Sequence, residues 1–191
     1  MMMLSNMPED VMKIYHDAKP VNDTSKVFIQ ANDFKKVIKA TKLIASKTRT
    51  HEEISEMFGF TVRQAYLYIA GCKYLDLVCE KPDKTGAMKL HVTKRGRNFA
   101  RLTWSDRKLY LTSLEYMLEN ECFYQVFTDI LENESMPGRV RVAEIMEELN
   151  VCKPAVINRR ASSVIAWYRY ILTELLGEGD IPTPDTSEDA E

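Results

Sequence analysis

Thr50-His51-Glu52-Glu53-Ile54-Ser55-Glu56-Met57-Phe58-Gly59-Phe60-Thr61-Val62-Arg63-Gln64-Ala65-Tyr66-Leu67-Tyr68-Ile69 is the stretch whose reading decides the fold. Twice within it a threonine is followed three residues later by Glu or Gln. That is the pattern of a capping box, in which the hydroxyl accepts from the amide three residues on and the longer side chain reaches back to the threonine N–H. The first box predicts a short helix to about Phe58, Gly59-Phe60 breaks it, and the second box opens a helix to about Leu75. Two capped helices joined by a tight glycine turn form a helix-turn-helix. Along the second helix Ala65, Tyr68, Ile69, Cys72 and Leu75 recur at helical spacing and are expected to face the core. Arg63, Gln64, Tyr66, Leu67, Ala70 and Gly71 are left outward.

Downstream, Leu77-Val78-Cys79-Glu80-Lys81 and Met88-Lys89-Leu90-His91-Val92 are strand-like runs around Pro82-Asp83-Lys84-Thr85-Gly86-Ala87, a hairpin in the position of a wing. Thr93 then starts the short basic segment Lys94 to Ala100, whose Gly96 weakens its helical propensity. Upstream, Phe34, Val37, Ile38, Thr41 and Ile44 place an amphipathic helix over Asp33 to Ser46, with Lys35, Lys36, Lys39 and Lys42 on its other side. The first 31 residues, with a weakly amphipathic stretch at Glu9 to Ala18, read as a flexible arm. After Ser105, an expected N-cap, come a helix carrying Leu109, Leu111, Leu114, Met117 and Leu118, and an apolar stretch from Cys122 to Leu131. A short amphipathic helix from Val140 to Leu149, a turn at Asn150-Val151-Cys152, and a long helix opened by Pro154 and reaching about Leu176 repeat the short-helix, turn, long-helix order. Its expected buried stripe is Ile157, Ala161, Val164, Ile165, Tyr168, Ile171 and Leu172. The fold class is therefore mainly α with a small β-hairpin wing, read as two tandem winged helix-turn-helix units packed through the Ser105 to Leu131 helices. The expected divisions are an arm at 1–31, a basic winged-helix domain at 32–103, a helical second domain at 104–177 and a disordered acidic tail at 178–191.

Charge separates the halves of this 191-residue chain, although its net charge is only −2. Lys35 to Arg101 carries 15 Lys/Arg against 6 Asp/Glu, Ser105 to Gly177 carries 8 against 11, and Glu178 to Glu191 holds six acids and no base. A concentrated basic segment is the electrostatic footprint of a nucleic-acid binder. The tail is a candidate competitor for that basic face. No apolar run approaches membrane-spanning length and no leader pattern is present, so a cytoplasmic protein is expected, on the nucleoid when bound to DNA. The four cysteines are scattered and the histidines number three, which signals neither a zinc site nor a disulfide framework, and no cofactor is called for.

The candidate DNA-binding residues follow from position. Arg63, Gln64 and Tyr66 lie on the outward face of the second capped helix, and Arg and Gln are the types that contact guanine and adenine edges bidentately. Lys81, Lys84, Lys89, Lys94, Arg95 and Arg97 suit phosphate contacts from the wing and the segment after it. In the second half, Lys153, Arg159, Arg160 and Arg169 occur with no acid between Lys153 and Thr173. They are read either as a further DNA contact or as partners of Glu144, Glu147 and Glu148. Trp104 and Trp167 read as core or interface aromatics. Pro82-Asp83 with Asp106-Arg107-Lys108 matches the spacing of metal-dependent nucleases, but a hairpin turn and a helix first turn are the wrong setting for that chemistry. The expected partner is double-stranded DNA, with no catalysis. A protein partner or a second copy of the chain is the rival occupant, docked through Tyr66, Leu67 and Ala70 on the helix at 61–75.

Arg63-Gln64-Ala65 through Tyr74-Leu75-Asp76-Leu77-Val78, then His91-Val92-Thr93 through Gly96 and Ala100, resembles winged-helix domains, with Asp76 where such domains usually carry Gly. Asn158-Arg159-Arg160-Ala161-Ser162-Ser163-Val164 through Trp167 resembles the second helix-turn-helix of tandem winged-helix modules in restriction-modification proteins. The resemblance covers residues 35 to 175. It implies DNA recognition within a regulatory or defence system, with cleavage supplied by another domain or chain.

Overall fold

The computed structural model describes residues 7–177. Among them the elements run α1 (Glu9–Asp17), α2 (Phe34–Ser46), α3 (His51–Phe58), α4 (Val62–Tyr74), β1 (Val78–Pro82), β2 (Met88–Val92), α5 (Lys94–Ala100), α6 (Arg107–Leu118), α7 (Glu121–Asn133), α8 (Arg139–Glu148) and α9 (Pro154–Leu176). The chain is mainly helical with one small antiparallel sheet. It divides into a basic unit, residues 27–105, and a split unit, residues 1–26 with 106–191.

In the basic unit the local chemistry dictates the element ends. Asp33 caps α2 by accepting from the Lys36 N–H at 3.2 Å, and Phe34, Val37, Ile38, Thr41 and Ile44 are buried along one face. Both threonine boxes form. The Glu53 N–H donates to Thr50 Oγ1 at 3.2 Å while the Thr50 N–H donates to Glu53 Oε2 at 2.7 Å, and the Gln64 and Thr61 pair does the same at 3.2 and 3.0 Å. Gly59, at φ +66°, ends α3 in the left-handed conformation that glycine adopts without steric cost. Asp76 takes the same conformation after α4, at φ +56°. Its N–H reaches Lys73 O at 3.0 Å and the Leu77 N–H reaches Cys72 O at 2.9 Å, which satisfies the last carbonyls of α4 in a Schellman arrangement. Strands β1 and β2 pair from Val78↔Val92 to Pro82↔Met88, and Arg49, between α2 and α3, adds a bridge to Leu90.

Thr93 ties this unit together at one point. Its hydroxyl donates to Asp76 O at 2.6 Å and accepts from the Gly96 N–H at 2.9 Å, while its own N–H donates to Leu77 O. Gly96 is obligatory in α5, because a Cβ there would lie 1.9 Å from Leu77 O. The residue that weakens the helix in isolation is the one that lets it pack.

The split unit joins α1 to α6, α7, α8 and α9. Phe123, Phe127, Trp167 and Tyr168 are buried in its core, with ring centroids 5.6 to 5.8 Å apart. The Tyr168 hydroxyl donates to Phe123 O at 2.5 Å. Asn150, at φ +50°, closes α8 with the backbone bonds that Asp76 makes after α4: its N–H donates to Glu147 O and that of Val151 to Met146 O.

The arm expected at 1–31 is not one, among its described residues. Within the split unit Val11 of α1 is buried, Tyr15 stacks on Tyr124 at 5.0 Å, and Arg107 grips Asp10 with two bonds of 2.9 and 3.0 Å. Within the basic unit Phe28, Ile29 and Ala31 are buried, Phe28 edge-on to Tyr74. Residues 19–26 lead from one unit into the other, and partners 46 to 113 positions away supply the order that local sequence does not. Three smaller corrections follow. Asp106, not Ser105, caps α6 through the Lys108 N–H at 2.8 Å; Gly71 is buried; and Ile165 is only half-buried, while Trp167 lies fully in the core. Of the two tryptophans read as core or interface aromatics, Trp167 is in the core and Trp104 is 38% exposed. The acidic tail at 178–191 lies outside the described residues.

Candidate nucleic-acid interface

The basic unit holds 15 Lys/Arg against 7 Asp/Glu, a net of +8, whereas the described residues of the split unit hold 11 against 15. Eight of the expected DNA-binding residues, Arg63, Gln64, Tyr66, Lys84, Lys89, Lys94, Arg95 and Arg97, come together in the basic unit. Arg63, Lys84, Lys94 and Arg97 are exposed; Lys89 and Arg95 are half-buried. Lys81 and Lys89 are directly paired across β1 and β2, so both side chains leave the same face of the hairpin. Like charges so placed repel, and Lys89 is offset in part by Asp83.

The hairpin turn is built by that same Asp83. Its Oδ1 accepts from the Thr85 N–H at 2.8 Å, the Thr85 hydroxyl at 2.6 Å and the Ala87 N–H at 3.1 Å, bonds that hold the carboxyl below its usual range. Asp106 is engaged as the cap of α6. The two acids of the nuclease-like spacing thus perform local structural work in separate units. Among the described residues no three His, Cys, Asp or Glu side chains gather at metal-binding range.

On α4 the structure redistributes the roles expected of Gln64 and Tyr66. Gln64 Oε1 accepts from both the N–H and the hydroxyl of Thr61, at 3.0 and 3.2 Å, so the amide oxygen that an adenine contact needs is engaged in the cap. Tyr66 is 52% exposed, yet its inner face stacks on His51 with centroids 3.8 Å apart and 14° between planes. His51 itself is buried, its Nδ1 3.6 Å from Glu80 and its Nε2 without a hydrogen-bond partner. Burial pushes its pKa down, Glu80 and Glu52 oppose this, and Lys73 reinforces it. Lys73 in turn pairs with Glu80. Nothing in the sequence linked His51 to Tyr66, because they lie on different helices.

A second feature was missed for the same reason. Lys36 lies over Phe60 and Tyr68 at 5.1 and 5.7 Å, Lys39 over Phe58 at 4.9 Å and Lys42 over Trp104 at 5.7 Å. Lys36 and Lys39 of α2 hold the aromatic residues at and beside the turn between α3 and α4 by cation–π contact, while Lys42 packs on Trp104 after α5.

Lys153, Arg159 and Arg160 belong to the split unit. Lys153 precedes α9 and is exposed, as is Arg159; Arg160 is half-buried and lies close enough to Cys152 to oppose the upward push of burial on that thiol. Glu144, one of the acids expected to pair with these arginines, pairs with Arg141, which also holds the nearly buried Asp129 at 3.0 Å.

A family model described as Domain of unknown function (DUF7226) matches residues 36–175. The chain belongs to this family. The DUF7226 match begins within α2 and ends at Leu175 in α9, so every candidate residue from Arg63 to Arg160 falls inside it. No curated protein and no solved structure matches the chain. No described helix of this DUF7226 chain is long and apolar enough to cross a membrane.

Proposed function

We propose that the basic unit is a winged helix that grips double-stranded DNA, and that the chain is a non-catalytic recognition module of a regulatory or defence system like the restriction-modification proteins it resembles. The observation that carries the reading is the confinement of the chain's excess positive charge to the unit with helix, bridge, helix, turn, helix and hairpin in winged-helix order. Asp76 in the left-handed conformation supports it, since that is the position where such domains carry glycine. In this reading α4 enters the major groove with Arg63 and Tyr66 toward the bases, Gln64 holds the helix start, and Lys81, Lys84, Lys89, Lys94, Arg95 and Arg97 neutralise phosphates. The repulsion between Lys81 and Lys89 is relieved by a bound polyanion. Lys153, Arg159 and Arg160 are a separate candidate DNA contact, carried by the split unit.

A protein-docking reading is favoured by one observation, the exposure of Met57, Val62 and Tyr66 at 43%, 39% and 52%. Fluorescence anisotropy on a random-sequence 30-base-pair duplex across a salt series separates the two. A DNA binder gives a slope of log affinity against log salt of several units, about −0.9 per phosphate contacted. Arg95→Glu with Arg97→Glu lowers affinity for all sequences alike and flattens that slope by about 2. Absence of binding at low salt overturns the proposal in favour of a protein partner.

A further inference from the structure

We infer that the exposed face of α4 reads thymine through its 5-methyl group, with Arg63 available for a neighbouring guanine. The basic unit then selects duplex sites that present T and G in the major groove. This rests on the DNA-binding reading and names the sequence class that the same surface prefers.

The inference comes from what α4 has left to offer. Val62 and Tyr66 lie one turn apart and are both exposed, and the half-exposed Leu67 and Ala70 continue the outward face, so that apart from the Tyr66 hydroxyl it is apolar. Gln64 has its amide oxygen taken by two donors from Thr61. Arg63 is the one cationic side chain on the first two turns of α4, and its planar fork suits the O6 and N7 acceptors of guanine. Apolar side chains in a major groove find one complementary feature there, the thymine methyl.

Tyr66 is prepared for that contact. Stacked at 3.8 Å on His51, which is itself buried, the ring has already lost its rotational freedom, and its outer face is held in a fixed orientation. The occupant of this apolar face is argued from charge. The unit that carries it has a net charge of +8, with Lys81 and Lys89 directly opposed on its hairpin, and a polyanion complements that charge where an apolar protein surface does not.

The test uses the full chain and two duplexes of one sequence, the second with deoxyuridine in place of every thymine. Loss of a buried methyl weakens binding about fourfold per methyl contacted, from about 0.8 kcal/mol per methyl. The thymine duplex is expected to bind more tightly by that factor or its square, with the same salt slope for both. Tyr66→Ser brings the affinity for thymine DNA down toward that for deoxyuridine DNA. Val62→Ser, which leaves the stack on His51 in place, also narrows the gap. Equal affinity of the unaltered chain for both duplexes, with a steep salt slope, overturns the methyl reading and leaves DNA binding standing. Failure to bind either duplex at low salt overturns both.

Discussion

Helices α4 and α9 follow the same plan, a short helix, a turn and then a longer helix, yet they are held by different forces. Helix α4 is fastened at its ends: a capping box with Thr61 and Gln64 at the start, and a Schellman closure through Asp76 and Leu77 at the finish. Helix α9 has no side-chain cap at its start, where Pro154 occupies a position whose N–H needs no partner. It is 23 residues long and buries Ile157, Ala161, Val164, Trp167, Tyr168, Ile171, Leu172 and Leu175 through the core of its unit. A helix with one exposed face must define itself locally, because core burial constrains only its other side. A helix that forms the spine of a core can leave its ends to packing. The contrast extends to charge, with α4 in a unit of net +8 and α9 in the unit that carries the acid excess.

Substituting Trp167→Ala is the strongest way to break this comparison. Loss of that buried ring is expected to cost about 3–5 kcal/mol and to fall on the split unit. It leaves Trp104 of the basic unit as the sole tryptophan, so urea unfolding followed by fluorescence reads the basic unit, while hydrogen exchange reads α9. Faster exchange in α9 than in α4 is expected; equal acceleration in both contradicts two separately held helices. Thr61→Ala tests the other side. Removing the cap is expected to cost about 1 kcal/mol, with faster exchange at the start of α4 and none in α9. Unaltered exchange at Arg63 to Ala65 contradicts a helix fastened at its ends.

The smallest expected effect is one of pH. Because the His51 pKa is lowered in the folded chain, chiefly by burial, its contribution to stability is full above the unfolded value of about 6.5 and is lost as pH falls toward the folded value. Over that window the unfolded chain takes up a proton that the folded chain does not. Urea midpoints measured at pH 7 and near pH 5.5 should therefore fall more for the unaltered chain than for His51→Phe, which keeps a ring beneath Tyr66. An equal fall for both removes His51 as the cause.

Much of this architecture is legible in the sequence. The two Thr-x-x-Glu/Gln boxes, Gly59 and the turn at Asp83 to Ala87 act through neighbours within five residues, so sequence spacing reports them directly. Misreadings arose where the partner was distant. Residues 1–31 read as an arm because α1 is short and only weakly patterned, and its order comes from Tyr124, Thr128 and Arg107. Gly71 sits on the outward arc by spacing but is buried, since helix periodicity fixes direction around the axis and not what is packed against it. At the candidate interface the basic residues were readable as a cluster. The division of labour on α4 was not, although the box that engages Gln64 was itself in plain sight.

The sequence by itself determined where α3 and α4 start and stop and which part of the chain carries the positive charge, because caps, turn residues and charge act over short distances along the chain. Only the tertiary structure decided that α1 belongs with α6 to α9, that Gly96 answers to the carbonyl of Leu77, and that Tyr66 rests on a buried histidine. Each of these joins residues from separate elements, and side-chain packing across a core is set by three-dimensional proximity that no periodicity in one segment encodes.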